Sequence, residues 1–367
     1  MDQSKTLLYF IKSLIKFWGA LLFILIPSTS ICHAQAYKFD FEYLGKVLER
    51  KNTHIWGASP IVGPDGKVHL FVAQWSTKTQ NNFSGWYKDS EIGHYVAEKP
   101  EGPFTYLGKA VADLDTQFNA PHNPTIKQLD GKYVLTFIVN SDNKLSTQRI
   151  IMYVSDTLEG PWRPAKGAEK DGTILRKSNQ ITDWNYHAKL GVSNPTLIKK
   201  DDRYFLYVKS VIKKDPNKKS GAYTYGLAIS NNLEGPYQYH SKAITRAGIE
   251  DAYAFEFENN VYLMSRDFGN LKGDHGGGLL WRSNDGLFFD ESNIMRSFEA
   301  LEHYVGKDAL KNSQVYRGKI SGRLERPQIL FVDGKPAYIY LATGINDSKD
   351  HGSASHLFKL KPQALNE

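Results

Sequence analysis

Two carboxylates in this chain sit in settings that suit acid–base work: Asp251, in the run Ile249-Glu250-Asp251-Ala252-Tyr253, and Glu325, in Leu324-Glu325-Arg326-Pro327. Carboxyl groups brought close together away from water separate into one that holds its proton and one that does not. A third titratable group, His275, lies in Arg266-Asp267-Phe268-Gly269-Asn270-Leu271-Lys272-Gly273-Asp274-His275-Gly276-Gly277-Gly278 with no apolar neighbour in sequence. The glycines there free the backbone to approach a ligand, and an imidazole in such a place can serve as acid, base or contact. Plainer readings stand beside these. Glu325 can pair with Arg323 or Arg326 and only brace the chain, and the glycine run can be a surface loop.

These residues recur within a repeat. Glu101-Gly102-Pro103-Phe104, Glu159-Gly160-Pro161-Trp162 and Glu234-Gly235-Pro236-Tyr237 are one tetrapeptide ending in an aromatic ring. A second motif returns five times: Ser59-Pro60-Ile61-Val62, Asn123-Pro124-Thr125-Ile126, Asn194-Pro195-Thr196-Leu197, Asp251-Ala252-Tyr253-Ala254 and Arg326-Pro327-Gln328-Ile329. Each leads to an Asp/Asn/Gly turn and then a strand-forming run such as Tyr133-Val134-Leu135-Thr136-Phe137. Strand, tight turn, strand and outer hairpin, repeated in one order, predict an all-β fold, a five-bladed β-propeller. The last strand, around His356-Leu357-Phe358-Lys359-Leu360, is expected to pair with Phe39-Phe41-Tyr43 and close the ring. A β-sandwich would not return one motif five times.

In a propeller the first residues of each innermost strand gather at one mouth of the central channel. The candidate ligand contacts are then Trp56, Ser59, His122, Asn123, Asn194, Glu250 and Arg326, with Asp251, Glu325 and His275 as the catalytic set. Buried polar groups need partners, although Ser and Asn before proline also cap turns. Trp56, Trp184 and Phe118 are candidate platforms for a sugar ring, or simply core.

The first 36 residues are set apart from this domain, which is taken as 37–367. Lys5, Lys12 and Lys16 precede the apolar run Phe17–Ile26, and Ala34-Gln35-Ala36 follows, the order of a cleaved secretory signal. The apolar run is short for a membrane anchor. Cys32 is the only cysteine, and Ile31 before it fits a lipoprotein site poorly. Residues 37–367 therefore contain no cysteine, which excludes disulfides, thiolate metal sites and cysteine nucleophiles. The formal net charge is +7, and 13% of residues are aromatic, with 21 Tyr and 7 Trp. A basic exported protein meets anionic polysaccharide more readily than nucleic acid, and the sequence holds no nucleic-acid motif. No metal-ligand set and no cofactor motif is present, so neither is expected.

Trp56–Pro60, His122–Thr125, Glu250-Asp251, His275-Gly276-Gly277 and Glu325-Arg326-Pro327, together with the Glu-Gly-Pro-aromatic turns, resemble the glycoside hydrolase family 43 clan and the family 117 anhydrogalactosidases across roughly residues 40–362. The resemblance implies a five-bladed propeller acting on a carbohydrate. Family 43 carries an Asp on each of the first two blades and a Glu on the third. The corresponding positions here are read as Ser59, Asn123 and Asn194, none of which is a carboxylate, so that family's catalytic residues and pentose-cleaving activity do not carry over. The family 117 pattern, a histidine acid beside carboxylates, points to Asp251, His275 and Glu325. An inverting pair would stand about 6.5–9.5 Å apart.

The expected function is an exo-acting glycoside hydrolase that releases a terminal sugar from a polysaccharide or oligosaccharide, neutral or anionic. The alternatives are a lyase acting on a uronate-containing glycan, with His122, His275 or Tyr253 as base and Asn123, Asn194 and Arg326 neutralising the uronate, or a silent sugar-binding propeller.

Overall fold

The computed structural model describes residues 37–111, 119–212, 222–245, 248–273, 276–347 and 350–364. Five of the sheets they form stand around a channel, and a sixth, two-stranded one joins Gln314–Val315 to Ile345–Asn346. Blade one comprises Thr53–Val62, Val68–Ser76, Glu91–Ala97 and Thr105–Lys109; blade two, Asn119–Leu129, Lys132–Ser141, Lys144–Ser155 and Thr173–Leu175, with Arg163–Pro164 also on its third strand. Blade three runs through Ser193–Lys200, Arg203–Ile212, Ala222–Ser230 and Gln238–Ala243, and blade four through Glu250–Phe257, Asn260–Arg266, Gly278–Ser283 and Met295–Arg296. Blade five takes Leu324–Val332, Lys335–Thr343 and Ala354–Ala364 from the C-terminal end and Tyr37–Leu48 from the N-terminal end. The ring closes as expected, with Phe41 opposite Leu360 and Tyr43 opposite Phe358.

Packing explains why the second strand of each blade reads as a near-continuous apolar run. Five clusters fill the five wedges between neighbouring blades: Phe71, Phe137 and Ile151 between blades one and two, Leu206 and Met152 between two and three, Trp281 and Phe205 between three and four, Phe255 and Ile339 between four and five, and Tyr340 and Leu70 between five and one. A second strand such as Val68–Ser76 is covered on both faces, so polar–apolar alternation is lost.

Each inner strand begins with a bulge. The ladder register slips between Trp56 and Ser59, His122 and Thr125, Ser193 and Thr196, Glu250 and Tyr253, and Glu325 and Gln328. Inside each slip sits a residue with left-handed backbone: Gly57 at φ 58°, Asn123 at 49°, Asn194 at 52°, Asp251 at 59° and Arg326 at 55°. A bulge bends its strand and re-aims the side chains beside it.

This ring corrects the sequence alignment of blade one. Gly57, not Ser59, stands where Asn123 and Asn194 stand. Ser59 matches Thr125 and Thr196, whose hydroxyls join blades. The Ser59 hydroxyl donates to Gln328 Oε1 at 3.0 Å and accepts from the Ile126 amide at 3.1 Å. Thr196 Oγ1 likewise accepts from the Ala254 amide at 2.9 Å. Pro60 misled the alignment because prolines 124, 195 and 327 follow the left-handed residue directly, whereas Pro60 follows Ser59.

Candidate functional site

The bulges of blades one to four line a pocket enclosing about 580 Å³ of non-protein space, its open mouth included. Trp56, Trp86, His122, Asn123, Gln148, Asn194, Lys209, Tyr223, Glu250, Asp251 and Arg317 are among its walls. The amides form a chain across three blades. Asn123 Nδ2 donates to Asn194 Oδ1 at 2.8 Å, and Asn194 Nδ2 donates to Asp251 Oδ1 at 2.5 Å. The Ala252 amide after Asp251 is held by the buried Tyr225 hydroxyl at 2.7 Å, so the carboxylate stands on fixed backbone.

Glu250 and Asp251 are adjacent in sequence and opposite in electrostatics. Glu250 accepts from Lys209 Nζ at 2.9 Å and from Arg266 Nη1 at 2.6 Å. Burial alone would favour its neutral form, but those two cations and Arg317 hold its pKa down at about 2. Asp251 receives one amide hydrogen bond and no ion pair among the described residues. Burial first, and then the Glu250 charge, push its pKa up to about 6. Two neighbouring carboxyls whose pKa values are driven apart mark a division of acid–base roles.

His122 adds a neutral imidazole. Ser90 Oγ donates its proton to the Pro121 carbonyl at 2.9 Å and stands 3.3 Å from His122 Nδ1. A hydroxyl with its proton so committed offers only a lone pair, so Nδ1 carries the imidazole proton and Nε2 is the acceptor. Burial, with Arg326, Arg317 and Lys209 nearby, holds its pKa well below the ordinary histidine value. Trp75 and Trp86 flank the ring, with centroids at 5.7 and 5.0 Å.

Glu325 begins the inner strand of blade five, as expected, but it occupies an ion cluster and does not wall the pocket. Arg323 Nε lies 2.8 Å from it, Arg266 Nη1 3.0 Å and Arg317 Nε 3.7 Å. The sequence alternative in which Glu325 braces its blade through Arg323 describes this arrangement. Arg326, with none of its surface exposed, reaches under the pocket so that its Nη2 donates to the Asn123 carbonyl at 3.3 Å. Counting Lys209, Arg266, Arg317, Arg323 and Arg326 against Glu250, Asp251 and Glu325, the cluster is two charges positive when all are ionised.

Trp56, His122, Asn123, Asn194, Glu250 and Asp251 of the expected set come together at the pocket. Ser59 is committed to joining blades, and Trp184 packs away from the pocket, against Gly226 and 6.4 Å from the Tyr239 ring. Both depart from the expectation of ligand contacts. Their sequence settings did not reveal which side of a blade they face. His275 and Phe118 lie outside the described residues. The neighbouring Gly276 carbonyl accepts from the Leu324 amide at 3.0 Å, beside Glu325. Sequence reading missed Lys209, Tyr223, Arg266 and Arg317. Lys209 and Arg266 did leave a signal, as cations that interrupt the apolar run of Arg203–Ile212 and end Asn260–Arg266, and they face Ser193 and Glu250 across the ladder. Arg317 comes from a loop with no pattern. Among the described residues no three His, Cys, Asp or Glu side chains gather as metal ligands, and no helix is long and apolar enough to cross a membrane.

No protein-family model and no curated protein matches the sequence. Solved structures do match in fold. One is Zg3597, a family 117 glycoside hydrolase of the marine bacterium Zobellia galactanivorans, at TM-score 0.63 and 16% identity over 89% of this chain and 91% of that one. Another is CoXyl43, a family 43 β-xylosidase/α-arabinofuranosidase from a compost microbial metagenome, in complex with xylotriose, at TM-score 0.52 and 14% identity over 89% and 98%. A third is the GH43_1 enzyme from Xanthomonas citri complexed with xylotriose, at 0.53 and 12% over 88% and 91%. Likeness at this identity establishes the five-bladed propeller fold.

Proposed function

We propose that this chain is an exo-acting glycoside hydrolase that takes the terminal sugar of an oligosaccharide or polysaccharide into the channel-mouth pocket. The observation that carries the reading is Asp251. It is a buried carboxyl with its pKa pushed to about 6, set beside an ionised Glu250 on the wall of the channel-mouth pocket. Trp56 and Trp86 offer ring faces, and Asn123, Asn194 and Gln148 offer amides, the mixture that sugar hydroxyls and C–H faces require. A pocket, unlike an open groove, admits a chain end. Structures of the same fold that are named glycoside hydrolases support the class.

In this mechanism protonated Asp251 gives its proton to the glycosidic oxygen as the C–O bond to the leaving group breaks. Water adds to the sugar carbon, and His122 Nε2 takes the proton that this water sheds. Solvent then returns a proton to Asp251 and removes one from His122. Glu250 stays ionised throughout, and its charge keeps the Asp251 proton in place. The N-terminal segment order supports export, with cleavage after Ala34 or Ala36 leaving a single propeller domain.

A β-eliminating lyase is the second reading, favoured by Lys209 and Arg317 on the pocket wall, where they would neutralise a uronate. Incubation with algal and plant oligosaccharides decides between them. Products whose summed mass exceeds the substrate by one water support hydrolysis. Products with no added water and new ultraviolet absorbance establish elimination. No product from any glycan that binds overturns both.

A further inference from the structure

Arg317 keeps its hydrogen-bond donors open although its charge faces Glu325 and Glu250. Lys209 and Arg266 pair with Glu250 and Arg323 with Glu325, while Arg326, which keeps Nε and Nη1 unpartnered among the described residues, is fully buried and off the pocket wall, with Nη2 on a blade-two carbonyl. Arg317 approaches Glu325 no closer than 3.7 Å, beyond hydrogen-bond length. Its guanidinium makes no hydrogen bond to any described residue. Its side chain is 33% exposed, on the pocket wall.

Its position is nevertheless fixed. The Arg317 amide donates to the Gly344 carbonyl at 3.0 Å. A Cβ on Gly344 would come within 2.6 Å of the Arg317 Cβ and carbonyl oxygen, so the two backbones lie in close contact. The guanidinium rests near two rings, 5.9 Å from the Trp56 centroid and 5.7 Å from that of Phe83. A planar fork held by aromatic faces with its donors unspent is pre-organised for an oxyanion. The surrounding cluster is two charges positive with Asp251 ionised and three with it protonated, so an anion entering the pocket offsets charge that a neutral sugar leaves uncompensated.

We infer that Arg317 binds an acidic group, a carboxylate or a sulfate ester, on the sugar that occupies the pocket, so that the protein selects anionic sugars over their neutral parents. This rests on the reading of the pocket as a sugar site, and it does not depend on what chemistry follows. Trp56 and Trp86 line the pocket, so tryptophan fluorescence reports occupancy. Galacturonic acid, galactose 6-sulfate and galactose are titrated into the wild-type protein and into Arg317→Met and Arg317→Lys, with thermal melts to confirm that each variant is folded.

The wild type should bind at least one of the two acidic sugars more tightly than galactose, and the sugar that wins tells carboxylate from sulfate. Arg317→Met should weaken that sugar by about 10- to 100-fold, the value of a charge-assisted hydrogen-bonded pair, while changing galactose by less than about 3-fold. Arg317→Lys should recover part of the loss, since it keeps the charge without the fork. Equal binding of all three sugars by the wild type, binding of none, or an equal loss for acidic and neutral sugars in Arg317→Met overturns the inference. If Arg317→Met does not fold, salt decides: wild-type affinity for the acidic sugar must fall with ionic strength while galactose is unmoved, and parallel behaviour overturns it. Selective binding without turnover of any glycan would sink the hydrolase reading alone, and turnover of a neutral glycan without acidic preference would sink this inference alone.

Discussion

Asn194 Nδ2 lies 2.5 Å from Asp251 Oδ1, and this one bond ties the titratable carboxyl of blade four to the amide of blade three. Asn123 continues the tether to blade two. The carboxyl is thereby oriented without being neutralised, because an amide donor brings no net charge. A lysine or arginine at position 194 would pair with Asp251 and pull its pKa down, as Lys209 and Arg266 do to Glu250.

Asp251→Asn should keep the fold and remove the proton. General acid catalysis is worth about 10² to 10⁴ in rate, so turnover should fall by at least about 100-fold with little change in melting temperature. As an acid with its pKa near 6, Asp251 makes wild-type activity decline as pH rises through that value. The residual activity of the variant should lack that limb. Activity that is instead lost as pH falls through about 6 would assign Asp251 the role of base.

Glu250→Gln should act on stability and on Asp251 together. It leaves Lys209 and Arg266 buried against a neutral amide, and breaking a buried ion pair from one side costs about 3–5 kcal/mol. The folded pKa of Glu250, about 2, lies below the unfolded value of about 4.3. Its stabilisation is therefore present above the unfolded pKa and is lost as pH falls from about 4 toward 2. Urea unfolding of the wild type should show that loss, and the variant, which keeps the other lowered carboxylates, should lose less stability across the same window. With the neighbouring charge gone, the limb assigned to Asp251 should also move to lower pH.

Lys127 tests the opposite sign. Its ammonium lies 3.9 Å from the Tyr253 ring centroid and donates to the Tyr253 hydroxyl, on the channel side of the inner strands. Enclosure pushes its pKa down to about 7, against about 10.4 in the unfolded chain. Between those values the unfolded chain binds more protons, so this group makes the protein more stable as pH rises from about 7 to 10. Lys127→Met keeps the stem and removes the charge. It should raise the melting temperature most below pH 7, with the gain shrinking toward pH 10. A gain that is constant with pH would mean the lysine charge is not what the channel resists.

The propeller was legible because its signals are local. Glu-Gly-Pro-aromatic turns mark the first three blades, an Asp/Asn/Gly turn follows the inner strand in all five, and a run such as Tyr133–Phe137 announces a strand by composition. The site was legible only where it lies on the inner-strand starts. Trp56, His122, Asn123, Asn194, Glu250 and Asp251 could be found by counting positions within the repeat. Lys209 and Arg266 come from second strands, one ladder rung away, and Arg317 from a loop, so their meeting at Glu250 and Glu325 depends on register and closure that no short motif records. Blade one was misplaced by two residues, which preserves the alternation of side chains along a strand and so raised no conflict in the apolar pattern.

That displaced position gives the last test. Gly57 has φ 58°, and a Cβ there would stand 3.2 Å from Arg326 Nε and 3.6 Å from Arg326 Cβ and Cγ. Two demands thus meet at one residue, a left-handed backbone and room for the guanidinium that crosses toward Asn123. Gly57→Ala should cost about 1–2 kcal/mol through the backbone alone, with Arg326 shifting by a few tenths of an ångström. Gly57→Asn brings a larger side chain, yet Asn123 and Asn194 hold the same conformation in the next two blades, and Asn tolerates it better than Ala does. Arg326 Nε and Nη1 have no hydrogen-bond partner among the described residues, so the new amide oxygen has donors to meet. Chemical denaturation should therefore rank the wild type first, Gly57→Asn second and Gly57→Ala last, with unchanged m-values. If Gly57→Asn proves the worse of the two, space beside Arg326, and not backbone conformation, is what requires glycine in blade one.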